Sequence, residues 1–340
     1  MNLKFPAGLV HATRLVRSGK LMEATSAIQR ALRGGQPPVQ GGLDPNPTRD
    51  PVPEQGRVLI DVFTNGAGTR RYKTYLPYQR AAHGLPLIVM LHGCKQNPDD
   101  FAAGSRMNQL AEELGFAVVY PAQSRKANVS ACWNWFQPAH QLREAGEPSL
   151  ISGITREVIA RHHLDARRVY VAGLSAGGAM AAVMGATYPE LYSAMGIHSG
   201  LGYAAARDLP SALAAMKGTP GKKSRRTSNA RSIPAIVFHG DRDTTVHPSN
   251  GEHAMTDTLE KVEKGYANGR AYTRTTHWNA SGEPVLEHWL VHGAGHAWSG
   301  GSASGSYTDP LGPDASREML RFFKQSQGGP RAQGGLRHIP

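Results

Sequence analysis

The run RRVYVAGLSAGGAMAAVMGA, residues 167–186, constrains the fold more than any other stretch of the chain. Strand-forming residues lead straight into Gly173-Leu174-Ser175-Ala176-Gly177 and then into a run of small helix formers. Only small side chains fit around so tight a strand-to-helix bend, and this is the context of a nucleophile elbow, which lifts a serine hydroxyl out at the end of a strand. G-x-S-x-G alone is a weak signal, because Gly and Ser are common in turns. The strand before it and the small-residue helix after it make it specific.

The rest of the chain repeats this texture. Strand-like segments at 57–63, 70–77, 86–93, 116–121, 167–173, 192–200, 235–241 and 286–293 alternate with helical patterns at 105–115, 148–163, 176–189, 250–265 and 314–325. The first two strands read as an antiparallel start, and Asp314 reads as the N-cap of the last helix. Short apolar strands alternating with helices predict an α/β fold, with a mostly parallel sheet covered on both faces. Residues 57–325 form this catalytic domain. Before it, residues 1–33 form an amphipathic helical segment broken at Gly19, with Leu21, Ala24, Ala27, Ile28, Ala31 and Leu32 on one face. That stripe has to dock on the chain's own domain, on a second subunit or on an apolar surface. Residues 34–56 read as a Pro/Gly-rich linker, and 326–340 as a disordered tail.

Composition narrows the function. The 340 residues can bury a full core, and no run reaches the ~20 apolar residues of a membrane span. The net charge of +12 invites a nucleic-acid partner. Much of it, however, is gathered in one loop with Lys217, Lys222, Lys223, Arg225, Arg226 and Arg231, with no nucleic-acid motif beside it, so no such partner is expected. The N-terminal region lacks the apolar core of a classical signal peptide; its Arg-rich, acid-poor character leaves a transit peptide as a secondary reading. Two cysteines, Cys94 and Cys132, exclude a disulfide scaffold and a four-cysteine zinc site.

A serine hydroxyl needs a base to take its proton, and the base needs an acid to orient it. In an elbow fold the order is Ser, acid, His. Downstream lie FHGDRDTTVHP and LVHGAGHAWSGG, both strand-to-loop exits. His292 belongs to its strand, whereas His296 sits in a Gly-flanked loop able to aim back at Ser175, so His296 is the candidate base. His292 and His296 also have the spacing of a helical zinc pair, but Gly293 and Gly295 oppose a helix, and neither metal nor cofactor is expected. Asp241 and Asp243 compete as acid, and spacing does not separate them. The oxyanion hole requires two main-chain N–H groups: Ala176, after the nucleophile, and Cys94, in the His-Gly loop after the third strand.

The segments LIVMLHGCKQNPDDFA, SACWNWF, VYVAGLSAGGAMAAVMGATYPELY, IVFHGDRDTTVHP and GAGHAWSGGSASGSYTDPLGPDASREMLRFF resemble the esterases of the polyhydroxybutyrate depolymerase family, over about residues 60–324. The stretch GKLMEATSAIQRAL also resembles the N-terminal segment of some members. The resemblance implies an α/β-hydrolase fold with a triad of Ser175, Asp243 and His296. It places the acid four residues after the histidine of H-G-x-x-D-x-x-V, which favours Asp243. It implies ester substrates: short-chain polyhydroxyalkanoate or oligoester, alternatively acetylxylan or feruloyl esters. A non-enzymatic granule- or partner-binding protein is the reading of another class. An extracellular location is implied, with a cytoplasmic one as the alternative. Cys94 and Cys132, both near the expected cleft, are expected to form a disulfide. Trp133, Trp135, Phe136 and Trp298 are expected to line the cleft as an apolar platform.

Overall fold

The computed structural model describes residues 56–78, 84–219, 233–251 and 259–326. All belong to the second of two units, Glu54–Pro340. The helical segment expected over 1–33, the linker up to residue 55, most of the basic loop and the tail beyond 326 lie outside the described residues.

A ten-stranded sheet runs in the order β1 (Arg57–Asn65), β2 (Gly68–Leu76), β4 (Ala117–Pro121), β3 (Leu87–Leu91), β5 (Val169–Leu174), β6 (Ala194–His198), β7 (Ala235–Gly240), β10 (Pro284–Val291), β9 (Arg270–Trp278), β8 (Leu259–Ala267). The strands from β4 to β10 pair in parallel, and an antiparallel hairpin closes each end. This is the expected mostly parallel α/β sheet. Its central strands are buried throughout because helices cover both faces.

Alternate residues of β3 serve opposite cores. Leu87, Val89 and Leu91 pack with Ile151, Ile154 and Met180 of α3 (Gly146–His162) and α4 (Ala176–Thr187). Ile88 and Met90 pack with Phe101, Leu110 and Phe322 of α1 (Pro98–Ser105), α2 (Met107–Leu114) and α6 (Ala315–Gln325). Asp314 caps α6, its side chain accepting from the Arg317 N–H, as the sequence suggests. A further helix, α5 (Leu209–Met216), follows β6.

The helix expected over 250–265 is corrected: residues 259–267 are strand β8. Leu259, Val262 and Tyr266 recur at a spacing of three and four, which imitates a helical face. The deciding feature lies just beyond, where Asn268 and Gly269 both take positive φ (45° and 85°) in a two-residue turn that folds β8 back along β9.

Candidate active site

Strand β5 enters the elbow at Ser175, whose backbone (φ 56°, ψ −118°) lies where only a strongly supported non-Gly residue is held. The support is local. The Ser175 N–H donates to the His198 carbonyl (2.8 Å), and the Ser175 carbonyl accepts the Ala179 N–H (2.9 Å), which starts α4. Close approach explains the motif's glycine. A Cβ on Gly177 would stand 2.0 Å from the Leu91 oxygen, so α4 can leave the sheet here only without a side chain.

The loop after β7 carries Asp243, whose side chain is wholly buried. Its Oδ1 accepts the N–H groups of Thr245 (2.9 Å) and Val246 (2.8 Å), and its Oδ2 lies 2.7 Å from His296 Nδ1. His239 Nε2 lies 3.4 Å from the same carboxylate and donates to the Val246 carbonyl. Burial pushes the Asp243 carboxyl up, but hydrogen bonds from His239, His296 and the Val246 amide outweigh it and hold the group well below the usual carboxylate range. An ionised Asp243 fixes the proton of His296 on Nδ1, which leaves Nε2 as the basic nitrogen.

Asp241 stands elsewhere. Its Oδ2 meets His292 Nδ1 (2.9 Å) and its Oδ1 accepts the Gly293 N–H (2.7 Å), both at the surface. The two aspartates and two histidines thus form two separate pairs, and Asp243 is the one that reaches His296.

The loop after β3 is held from several sides. The Gly93 N–H donates to Gln96 Oε1 (2.9 Å), the Lys95 N–H to the Ser130 carbonyl (2.8 Å), and Trp133 Nε1 to the His92 carbonyl (3.1 Å). A disulfide joins Cys94 to Cys132. Among the described residues, the N–H groups of Cys94 and Ala176 have no hydrogen-bond partner. A Cβ on Gly93 would lie 3.6 Å from Ser175 Cβ, which puts this loop directly against the elbow.

The aromatic platform is corrected. Trp133 and Trp298 are fully buried and Trp135 is 6% exposed, so their rings support the site from within. Trp298 donates to Ser316 Oγ (3.0 Å) and stacks on His198 (5.0 Å between ring centres). Only Phe136 of this group is partly exposed. Indole rings with a polar N–H go inside when the chain supplies an acceptor, and both Trp133 and Trp298 find one.

Three supporting residues escaped the sequence. Buried His198 joins the elbow to the histidine loop, since its Nε2 accepts the Ser299 N–H (3.0 Å) and its Nδ1 faces Ser199 Oγ (3.1 Å). Burial pushes it down to about 3, with His239 and His296 adding to the effect. Fully buried Glu147 accepts from Gln123 and from both the main chain and side chain of Asn134, which anchors the CWNWF loop. Gln96 links Gly93 to Asp100 and to Ser306 beyond His296. A histidine ending an apolar strand, as in GIHSG, was the available signal for His198; Glu147 gave none, because its partners Gln123 and Asn134 lie in the long irregular connection between β4 and α3, whose path no periodicity reveals.

A mostly parallel sheet with a serine elbow at the end of a central strand, and acid and histidine loops leaving later strands, defines an α/β hydrolase. The acetyl xylan esterase of Aspergillus awamori shares this fold, with a TM-score of 0.60 at 19% identity over 79% of this chain and all of that one. Residues 70–276 match the family described as esterase PHB depolymerase, and the chain belongs to that family. Relatives include poly(3-hydroxyalkanoate) depolymerase C of Paucimonas lemoignei, 30% identical over 70% of this chain and 60% of that protein's length. Feruloyl esterase B of Neurospora crassa is 30% identical over 76% of this chain and 89% of its own. Acetylxylan esterase A of Talaromyces purpureogenus is 28% identical over 71% and 70%. All three are named as carboxylic ester hydrolases. No helix among the described residues is long and apolar enough to cross a membrane.

Proposed function

We propose that the chain is a serine carboxylesterase that hydrolyses short-chain polyhydroxyalkanoate or its oligoesters through Ser175, His296 and Asp243. The observation that carries this reading is the 2.7 Å contact between His296 Nδ1 and a buried, ionised Asp243, on loops built beside the strained Ser175 elbow. Ser175 Oγ attacks the ester carbonyl carbon while His296 Nε2 takes its proton. The oxyanion that forms is received by the N–H groups of Cys94 and Ala176. His296 then returns the proton to the leaving alcohol, and the C–O bond breaks to leave an acyl-enzyme. A water molecule, deprotonated by His296, releases the acid and restores Ser175.

The substrate class rests on membership of the family and on the Paucimonas lemoignei relative. Equal identity to a feruloyl esterase, and the fold shared with an acetyl xylan esterase, support acetylxylan or feruloyl esters as the second reading. The Cys94–Cys132 disulfide favours an oxidising, extracellular setting. Comparing kcat/KM on hydroxybutyrate trimer, acetylated xylan and a feruloylated arabinose ester tests the assignment. The trimer is expected to be preferred, and preference for either sugar ester moves the enzyme to the second reading. No turnover of any ester by folded protein would move it to the binding class.

A further inference from the structure

Strand β8 ends the sheet, bonded to β9 on one side and to no other strand of the described residues. The two-residue turn at Asn268–Gly269 makes residues 267 and 270 a hydrogen-bonded pair. Odd-numbered residues of β8 therefore turn their N–H and C=O toward β9. Even-numbered ones, from Glu260 to Tyr266, turn theirs outward along an open edge. The side chains here are exposed, Leu259 at 72%, Val262 at 52% and Tyr266 at 73%. A nine-residue edge studded with apolar side chains is a template for another strand unless something blocks it.

Lysine is a usual block, but here each lysine has a matching glutamate. The run Glu260-Lys261-Val262-Glu263-Lys264 carries opposite charges at equal distances on either side of Val262. We propose that a second copy of this chain docks antiparallel on β8, with the two-fold axis at Val262, continuing the sheet from one subunit into the next. In this register Glu260 faces Lys264 of the partner subunit and Lys261 faces Glu263 of the partner subunit. The outward N–H of Val262 in each copy donates to the outward C=O of Val262 in the other, a reciprocal exchange that an isologous contact requires. Moving the axis by one residue sets Lys261 against itself, or Glu263 against itself, and like charges directly opposite oppose pairing. Within one chain Glu263 already binds Lys261 Nζ through Oε1 (3.0 Å) and Arg274 through Oε2 (2.6 Å), so the two-fold sets two such Lys–Glu–Arg groups side by side, with each lysine facing a glutamate across the axis. A single strand pairing is smaller than an obligate interface, so the dimer depends on concentration.

Sedimentation velocity of the full chain across a wide concentration range tests this. The expected result is a monomer–dimer equilibrium that shifts toward monomer with added salt. Lys261→Glu with Lys264→Glu sets glutamate against glutamate at every facing charge pair and weakens the dimer by ~10-fold or more. Adding Glu260→Lys and Glu263→Lys restores opposite charges and returns the dimer, a rescue that a general loss of folding does not allow. Val262→Pro removes an outward N–H, which an edge strand tolerates, and also yields monomer. A wild-type chain that is monomeric at every concentration overturns the proposal. So does a dimer unaffected by the paired lysine substitutions, or one that the fourfold swap fails to restore.

Discussion

The Ser175 N–H donates to the carbonyl of His198 over 2.8 Å, while the imidazole of that histidine accepts the Ser299 N–H three residues beyond His296. One buried residue thus holds the elbow through its main chain and the histidine loop through its ring. Because Nε2 accepts, the single proton of the neutral ring sits on Nδ1, directed at Ser199 Oγ.

This arrangement makes stability depend on pH. The folded value of about 3 lies below the ordinary ~6.5 of histidine, so between them the unfolded chain binds the extra proton. Stability is then complete above about pH 6.5 and falls as pH drops toward 3, by at most about 1.4 kcal/mol per pH unit for this group. Buried His92, lowered mainly by desolvation, acts in the same direction. His198→Gln keeps an acceptor but cannot take the proton. Its urea midpoints between pH 7 and 4 are expected to fall less steeply than those of wild type, and parallel curves count against the assignment.

The two Asp–His pairs predict unequal consequences. In Asp243→Asn the amide replaces the carboxylate that fixes the His296 tautomer, and kcat is expected to fall on the order of 10⁴-fold. Asp241→Asn keeps an oxygen for the Gly293 N–H at an exposed site, and a loss below about tenfold is expected. Steady-state kinetics on a soluble aryl ester rank the variants, and the reverse ranking assigns the acid to Asp241.

The Cys94–Cys132 bridge closes a loop of sequence separation 38 at the residue whose amide is proposed for the oxyanion hole. In the chain-entropy model such a loop stabilises the fold by about 4 kcal/mol. Cys132→Ser is expected to lower the melting temperature and, if the Cys94 N–H receives the oxyanion as proposed, to reduce kcat more than it raises KM, because such a donor acts on the transition state. A loss confined to stability would leave the bridge a purely structural role.

Trp133→Ala removes a fully buried ring bonded to the His92 carbonyl and is expected to cost about 3–5 kcal/mol. Activity on oligomers and on a small aryl acetate should fall together. A selective rise in KM for oligomers would return Trp133 to the cleft.

Much of this was legible in the sequence, for identifiable reasons. The central strands announce themselves because both their faces are covered, which leaves unbroken apolar runs such as LIVML. Ser175 is legible because its tight turn admits only small neighbours. Asp241 and Asp243 could not be separated by spacing, since the difference lies in which loop amides and imidazoles surround each carboxylate. The tryptophans misled because composition shows an aromatic cluster near the elbow without showing which way the rings point. Strand β8 misled because its apolar residues have helical spacing.

The most direct test of the account is covalent labelling with a fluorophosphonate, read by intact mass and peptide mapping. The expected result is a single adduct, on Ser175, slowed by hydroxybutyrate oligomer and absent from a folded Ser175→Ala variant that has lost ester turnover. An adduct on another residue, or full esterase activity in Ser175→Ala, would contradict it.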